Sequence, residues 1–189
     1  MHSYIEAIYL YRFDIGGVPL LDFAILGLLR ERPQHGYELK RALGELGFWQ
    51  VSFGSLYPAL RKLDRRGHIE AQRGSGRRKA YRITASGLDA FEQLVAEVPD
   101  PDESERSFQL RLAFLGSLPP ERRISVLERR RAALSTQLQG DRRTFLGARR
   151  NKGDRYRLAL MERRVLATES DIAWLDELIA GERGAAAGA

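Results

Sequence analysis

Between residues 52 and 98 the spacing of apolar side chains changes period twice, and that limits the folds open to this 189-residue chain. In SFGSLYPALRKLDRRGHIE, residues 52–70, Leu56, Ala59, Leu60 and Leu63 recur at helical intervals with Phe53 beside them. The following IEAQRGSGRRKAYRIT alternates instead. Ile69 and Ala71, then Tyr81 and Ile83, lie either side of Gly74-Ser75-Gly76, the pattern of a β-hairpin around a glycine-rich turn. Helical spacing returns in GLDAFEQLVAEV, with Leu88, Phe91, Leu94 and Val95 inward and Thr84 or Ser86 as the cap.

Two more helices precede this block. LLDFAILGLLRE, residues 20–31, is apolar almost all round, as in a helix buried inside a small domain. Pro33 and Gly36 break the pattern, and YELKRALGEL then sets Leu39, Leu43 and Leu46 on one side. Three helices, a two-stranded wing and a fourth helix make a winged helix-turn-helix domain over 20–98, preceded by an arm, 1–19. PDPDESE, residues 99–105, holds two prolines and four acids and reads as a linker. Beyond it lies a second, helical part, 106–182. A short helix in RSFQLRLAFLGSL is followed by a longer one opened by Pro119 and Pro120, then a loop at GARRNKGD. In the last helix Leu158, Met161, Val165, Thr168, Ile172, Leu175 and Ile179 alternate steps of three and four. That seam predicts antiparallel, coiled-coil-like packing, against a second copy of the chain as a dimerisation domain, against the 120–140 helix, or against both. The tail, 183–189, is expected to be disordered. The fold class is therefore mainly α, with one small β wing.

Charge marks one region. Residues 61–82 carry nine basic and two acidic side chains, a local +7 that exceeds the +6 of the whole chain. Concentrated positive charge is the footprint of a polyanion. On a helical wheel, Gly54, Ser55, Tyr57, Pro58, Arg61, Lys62 and Arg65 fall opposite the leucine stripe. Arginine can fork onto guanine, and hydroxyls or lysine can reach phosphates and base edges. Pro58 costs no hydrogen bond if Ser55 caps the helix. If Ser52 is the cap, it removes one and distorts the first turn. The hairpin tip adds Arg73, Arg77, Arg78 and Lys79, suited to phosphate or the minor groove.

Taken together, these motifs resemble the PadR family of bacterial transcription regulators. The carriers are Gly36-Tyr37-Glu38, then Leu56-Tyr57-Pro58-x-Leu60-x-x-Leu63, then Tyr81-x-Ile83-Thr84-x-x-Gly87, in order over residues 20 to about 98. FQLRLAFLGSLPPE and the helices after it are similar to the longer C-terminal domain of one PadR subgroup. His68 stands where the family usually has an apolar residue. The resemblance implies a homodimer held by C-terminal helices, an inverted-repeat double-stranded DNA operator, and repression. It assigns Ser55, Tyr57, Arg61 and Lys62 to the recognition helix and the wing cations to the backbone. Tyr37 is a further phosphate candidate, as are Ser52 and Arg65 at the helix ends.

Other classes fit less well. There is no cysteine, so disulfides and thiolate metal sites are excluded, and no cofactor motif is present. The three histidines, His2, His35 and His68, share no helical spacing, and no nucleophile or phosphate-loop motif occurs, which speaks against an enzyme. No uninterrupted apolar run is long enough to span a membrane, so a cytoplasmic protein is expected. A helical adaptor using the 158–179 seam is the alternative, but it leaves the clustered charge without a purpose. RNA binding would need aromatics on a sheet, and the hairpin offers Tyr81, expected to face inward. Trp49, Phe114 and Trp174 fit either a ligand cavity or plain core, so no effector is named.

Overall fold

The computed structural model describes residues 14–15, 18–48, 50–72, 79–96, 104–151 and 153–187. It divides into two compact units, the first running to Leu118 and the second built from Pro119 onward.

The first unit is organised around α1 (Leu20–Glu31), whose residues Leu20 through Leu29 are all buried. A short ladder precedes it, β1 (Asp14–Ile15) pairing antiparallel with β2 (Val18–Pro19). α1 ends because Arg32 must be extended before Pro33, at φ −166° and ψ 158°. Extension carries straight into β3 (Gln34–His35), and the buried Gln34 side chain donates to the carbonyl of Leu28 at 2.9 Å, satisfying an orphan at the end of α1. α2 (Gly36–Glu45) follows, its first turn closed by His35 N–H donating to Glu38 Oε2 at 2.7 Å. It stops at Gly47, whose φ of 84° favours glycine.

α3 (Phe53–Arg65) buries Leu56, Ala59, Leu60 and Leu63 and ends at Gly67, φ 72°, where His68 N–H returns to the carbonyl of Leu63 at 3.0 Å. β4 (Ile69–Gln72) and β5 (Ala80–Ile83) pair antiparallel in the register Ile69↔Ile83 and Ala71↔Tyr81. The wing is three-stranded rather than two-stranded: β3 adds to the other edge of β5, Gln34 opposite Tyr81 and His35 opposite Ala80. Of the two expected caps it is Thr84 that opens α4 (Ala85–Ala96), its hydroxyl accepting from Gly87 N–H at 3.1 Å.

α5 (Glu105–Ala113), with a 3-10 turn at Leu115–Ser117, belongs to this first unit and not to the second part where the sequence places it. Two contacts explain why. Phe114 packs edge-on against Phe23 and Phe91, which stack on each other at 5.4 Å, so Phe114 is core. The buried Arg111 donates to the carbonyls of Leu94 and Val95, closing the end of α4. Burying each of these rings is worth roughly 2–3 kcal/mol.

The second unit is an antiparallel hairpin of α6 (Pro120–Arg150) and α7 (Arg155–Ala187). The expected loop shortens to a turn near 151–154, and Asp154 Oδ1 accepts from Tyr156 N–H at 3.0 Å and Arg157 N–H at 3.1 Å to start α7. α7 continues to Ala187, so the tail over 183–187 is helical and not disordered; alanine is the best helix former, and Ala185, Ala186 and Ala187 end the helix. Leu175, Ile179 and Thr168 of the α7 seam are buried, and Leu158, Met161, Val165 and Ile172 are half-buried. They meet α6, where Val126, Leu127, Leu134 and Leu138 are buried. Ion pairs stitch the two helices along their length: Arg123 to Glu182 at 3.1 Å, Arg131 to Asp176, and Arg142 to Glu169 at 2.7 Å. The seam read as a dimer contact is therefore occupied within the chain.

Candidate nucleic-acid interface

Ser52 is the cap of α3. Its hydroxyl accepts from Ser55 N–H at 3.2 Å, and Ser52 N–H donates to Ser55 Oγ at 3.2 Å. The two hydroxyls thus hold the first turn together. Pro58 lies inside the helix and supplies no N–H to the carbonyl of Gly54, the costlier of the two arrangements the sequence allowed. Leu56, Leu60 and Leu63 are at most 1% exposed, while Tyr57 is 41% exposed and Arg61 and Arg65 face outward. The helix therefore turns the expected face to the outside. Arg61 carries no ion pair among the described residues.

Lys62 is the exception. Its ammonium sits 2.7 Å from Asp22 Oδ2, and Asp22 is almost fully buried in the first turn of α1. This is charge pairing rather than an aligned hydrogen bond, since that oxygen has no hydrogen-bond donor. A lysine held this way fixes how α3 sits on α1. Sequence reasoning missed Asp22 because an acid in an otherwise apolar helix looks like a simple first-turn charge.

Around Tyr57 the elements converge. Its hydroxyl would lie 3.0 Å from a Cβ at Gly36, so the glycine lets the ring cover the start of α2. The ring also stacks on Phe53 at 5.9 Å, and Lys40 lies over the other aromatic at 4.5 Å. Tyr37 is 70% exposed one residue into α2. Gly36, Tyr37, Phe53, Tyr57, Lys79 and Tyr81 line a cleft of about 690 Å³, and a shallower one of about 580 Å³ adjoins at Tyr37, Lys40 and Arg41. Tyr81 is half-buried and borders this cleft instead of facing wholly inward. Burial raises its hydroxyl pKa above the ordinary tyrosine value. The neighbouring Tyr57 and Asp64 push the same way and Arg61 opposes them. Phe53, Lys40 and Arg41 were not among the expected contacts. Their signal was available: Lys40 lies one turn from Tyr37, and Phe53 one turn from Tyr57. Arg73, Arg77 and Arg78 lie outside the described residues; Lys79 is exposed beside the cleft.

Residues 25–93 match the profile of the Transcriptional regulator PadR-like family, and residues 106–181 match that of the Virulence activator alpha C-term family. The negative transcriptional regulator PadR of Bacillus subtilis is 32% identical over 134 residues, covering 64% of this chain and 72% of the relative. The chain belongs to the PadR-like family of transcriptional regulators. An uncharacterised protein of Lysinibacillus sphaericus is 34% identical over 83 residues, 41% of this PadR-like chain and 76% of that protein. The crystal structure of Bacillus subtilis PadR in complex with operator DNA is 22% identical, covers 86% of this chain and 97% of its own, and has a TM-score of 0.39.

The profile that starts at residue 106 begins inside the helix that packs on the first unit, so the sequence boundary and the packing boundary differ by α5. Among the described residues no group of His, Asp and Glu is placed to hold a metal ion, and no helix is long and apolar enough to cross a membrane.

Proposed function

We propose that this PadR-like regulator is a cytoplasmic, non-enzymatic repressor that binds an inverted-repeat operator as a homodimer. The observation that carries the reading is the division of α3 into a buried leucine stripe and an exposed face bearing Tyr57 and Arg61, which has no ion pair among the described residues. Arg61 reads base edges, and Tyr57 meets the sugar or a thymine methyl from its seat over Gly36. Lys40, Arg65 and Lys79 neutralise phosphates, together with Arg73, Arg77 and Arg78 of the wing, and the Tyr37 hydroxyl donates to a phosphate oxygen. Ser52 and Ser55 act chiefly by capping, and Pro58 by fixing the first turn. Repression follows the name of the Bacillus subtilis relative.

Selection of bound sequences from random duplexes by the purified protein tests this. Enrichment of an inverted repeat with half-sites about 34 Å apart is expected for two recognition helices related by a two-fold axis. Recovery of unenriched DNA overturns the reading.

A further inference from the structure

The chain carries a second basic cluster, as strong as the one at α3 and the wing. Residues 142–164 hold nine basic and two acidic side chains, again a local +7, so the residues outside the two clusters are net acidic. This cluster sits at the turn end of the α6–α7 hairpin. Arg142, Arg143, Arg149 and Arg150 of α6 and Arg155, Arg157, Arg163 and Arg164 of α7 are all exposed. Arg142 pairs with Glu169 at 2.7 Å, and Arg164 reaches Asp141 only at 4.0 Å. The other six have no ion pair among the described residues. Arg143 Nε donates to the carbonyl of Gln139 at 3.3 Å, which leaves its charge uncompensated. Of the two acids, Asp154 is occupied in accepting the N–H groups of Tyr156 and Arg157.

Folding does not account for this cluster. Arg149 and Arg150 suit the C-terminal end of α6, where the helix dipole favours cations. Arg155 and Arg157 stand in the first turn of α7, which holds no acid and where the dipole disfavours cations. Arg142 and Arg149, Arg143 and Arg150, and Arg157 and Arg164 recur at seven-residue intervals, so like charges line up about 10 Å apart along each helix. Like charges kept together at a local cost in stability are the mark of a binding surface.

We propose that the turn end of the α6–α7 hairpin is a second duplex-binding surface, one that takes DNA phosphates without reading sequence. It belongs to the other unit from α3 and does not depend on base reading by Arg61.

The distribution of the charge selects this occupant. Arg155 and Arg157 fall about 160° apart on the α7 wheel, and Arg142 and Arg143 about 100° apart on that of α6, so cations surround the tip instead of forming a stripe. A helix lying in a lipid interface separates its cations from a broad apolar side, and the exposed Leu146 and Leu160 are too few to make one. A DNA backbone carries charge along its whole length and is held through release of its counterions, so it needs no shape-matched face. Tyr156, 79% exposed between Arg155 and Arg157, adds a hydroxyl that can donate to a phosphate oxygen.

Two matched variants of the full chain test this by titration of a random duplex. Arg155→Gln with Arg157→Gln removes two cations from the tip. Arg122→Gln with Arg129→Gln removes the same charge from exposed positions near the other end of α6. The tip pair is expected to weaken binding about tenfold at about 50 mM salt and to make the salt slope shallower by about two, while the control pair changes little. Its melting temperature should not fall, because the cations it removes are those the α7 dipole opposes. Affinity for a selected operator should drop by the same factor, leaving the preference intact. Equal effects of the two pairs, or no effect of either, overturn the proposal. So does a tip pair that binds DNA as the wild type does but no longer sediments with mixed phosphatidylserine and phosphatidylcholine vesicles, which would assign the surface to a membrane. A wild type without operator preference whose random-DNA binding still depends on the tip keeps this surface and loses the reading of α3.

Discussion

Arg61 and Lys62 are neighbours in different surroundings. Arg61 stands on the outward face with no ion pair among the described residues, while Lys62 is tied to the buried Asp22. Lys62→Ala leaves that carboxylate buried without its counter-charge, and the expected cost is about 2 kcal/mol of stability, moderated by the lysine's partial exposure. The salt dependence of DNA binding should be unchanged in this variant, because no phosphate contact is lost. Thermal melts and a salt titration check both, and a shallower salt slope for Lys62→Ala would return it to the phosphate contacts. Glu38 gives a pH prediction. Accepting the N–H of His35, with Arg32 nearby, holds its carboxyl below the ordinary value. A depressed folded value means the stabilisation is present above the unfolded pKa and is lost as pH falls through the folded one. Glu38→Gln should therefore melt below the wild type at neutral pH, and the gap should close in acid. The role of Lys62 was illegible in the sequence: a helical wheel places a cation outward by angle, but a side chain that long can turn back to a carboxylate on the next helix.

At the scale of elements, tight approaches decide the wing. A Cβ at Gly87 would stand 1.9 Å from the carbonyl oxygen of His68, where the chain leaves α3 for β4. Gly87→Ala is expected to cost about 3 kcal/mol, read by denaturant unfolding, because the clash is with backbone that cannot rotate away. The order of helices and strands was readable because the apolar period itself changes at residues 69 and 85. β3 was not, since Gln34 and His35 carry no strand propensity; pairing with β5 makes them a strand. α5 was misplaced because the Pro99 and Pro101 composition break looks like a domain boundary, while Phe114 and Arg111 bind the helix back to α1 and α4. For α7, the three-four spacing correctly announced a packing seam. Periodicity says that a helix is covered, and it does not name the cover.

At the scale of the whole molecule, charge and shape are divided between the units. The first concentrates cations and exposed aromatics where α2, α3 and the wing meet. The second spends its inner seam on itself and shows an outer side split between arginines and acids. Counterion release then predicts that operator affinity falls about a thousandfold or more between 50 and 200 mM salt if six or more phosphates are met, a drop that a titration measures directly. The account depends most on α3 reading sequence with its outward face, and the decisive measurement compares affinity for the selected operator with affinity for random DNA, in the wild type and in Arg61→Ala. The account predicts a wild-type preference of about a thousandfold or more, reduced in Arg61→Ala by about 1–3 kcal/mol while random-DNA binding weakens far less. A wild type that binds both DNAs alike, or a variant that loses both equally, would contradict it.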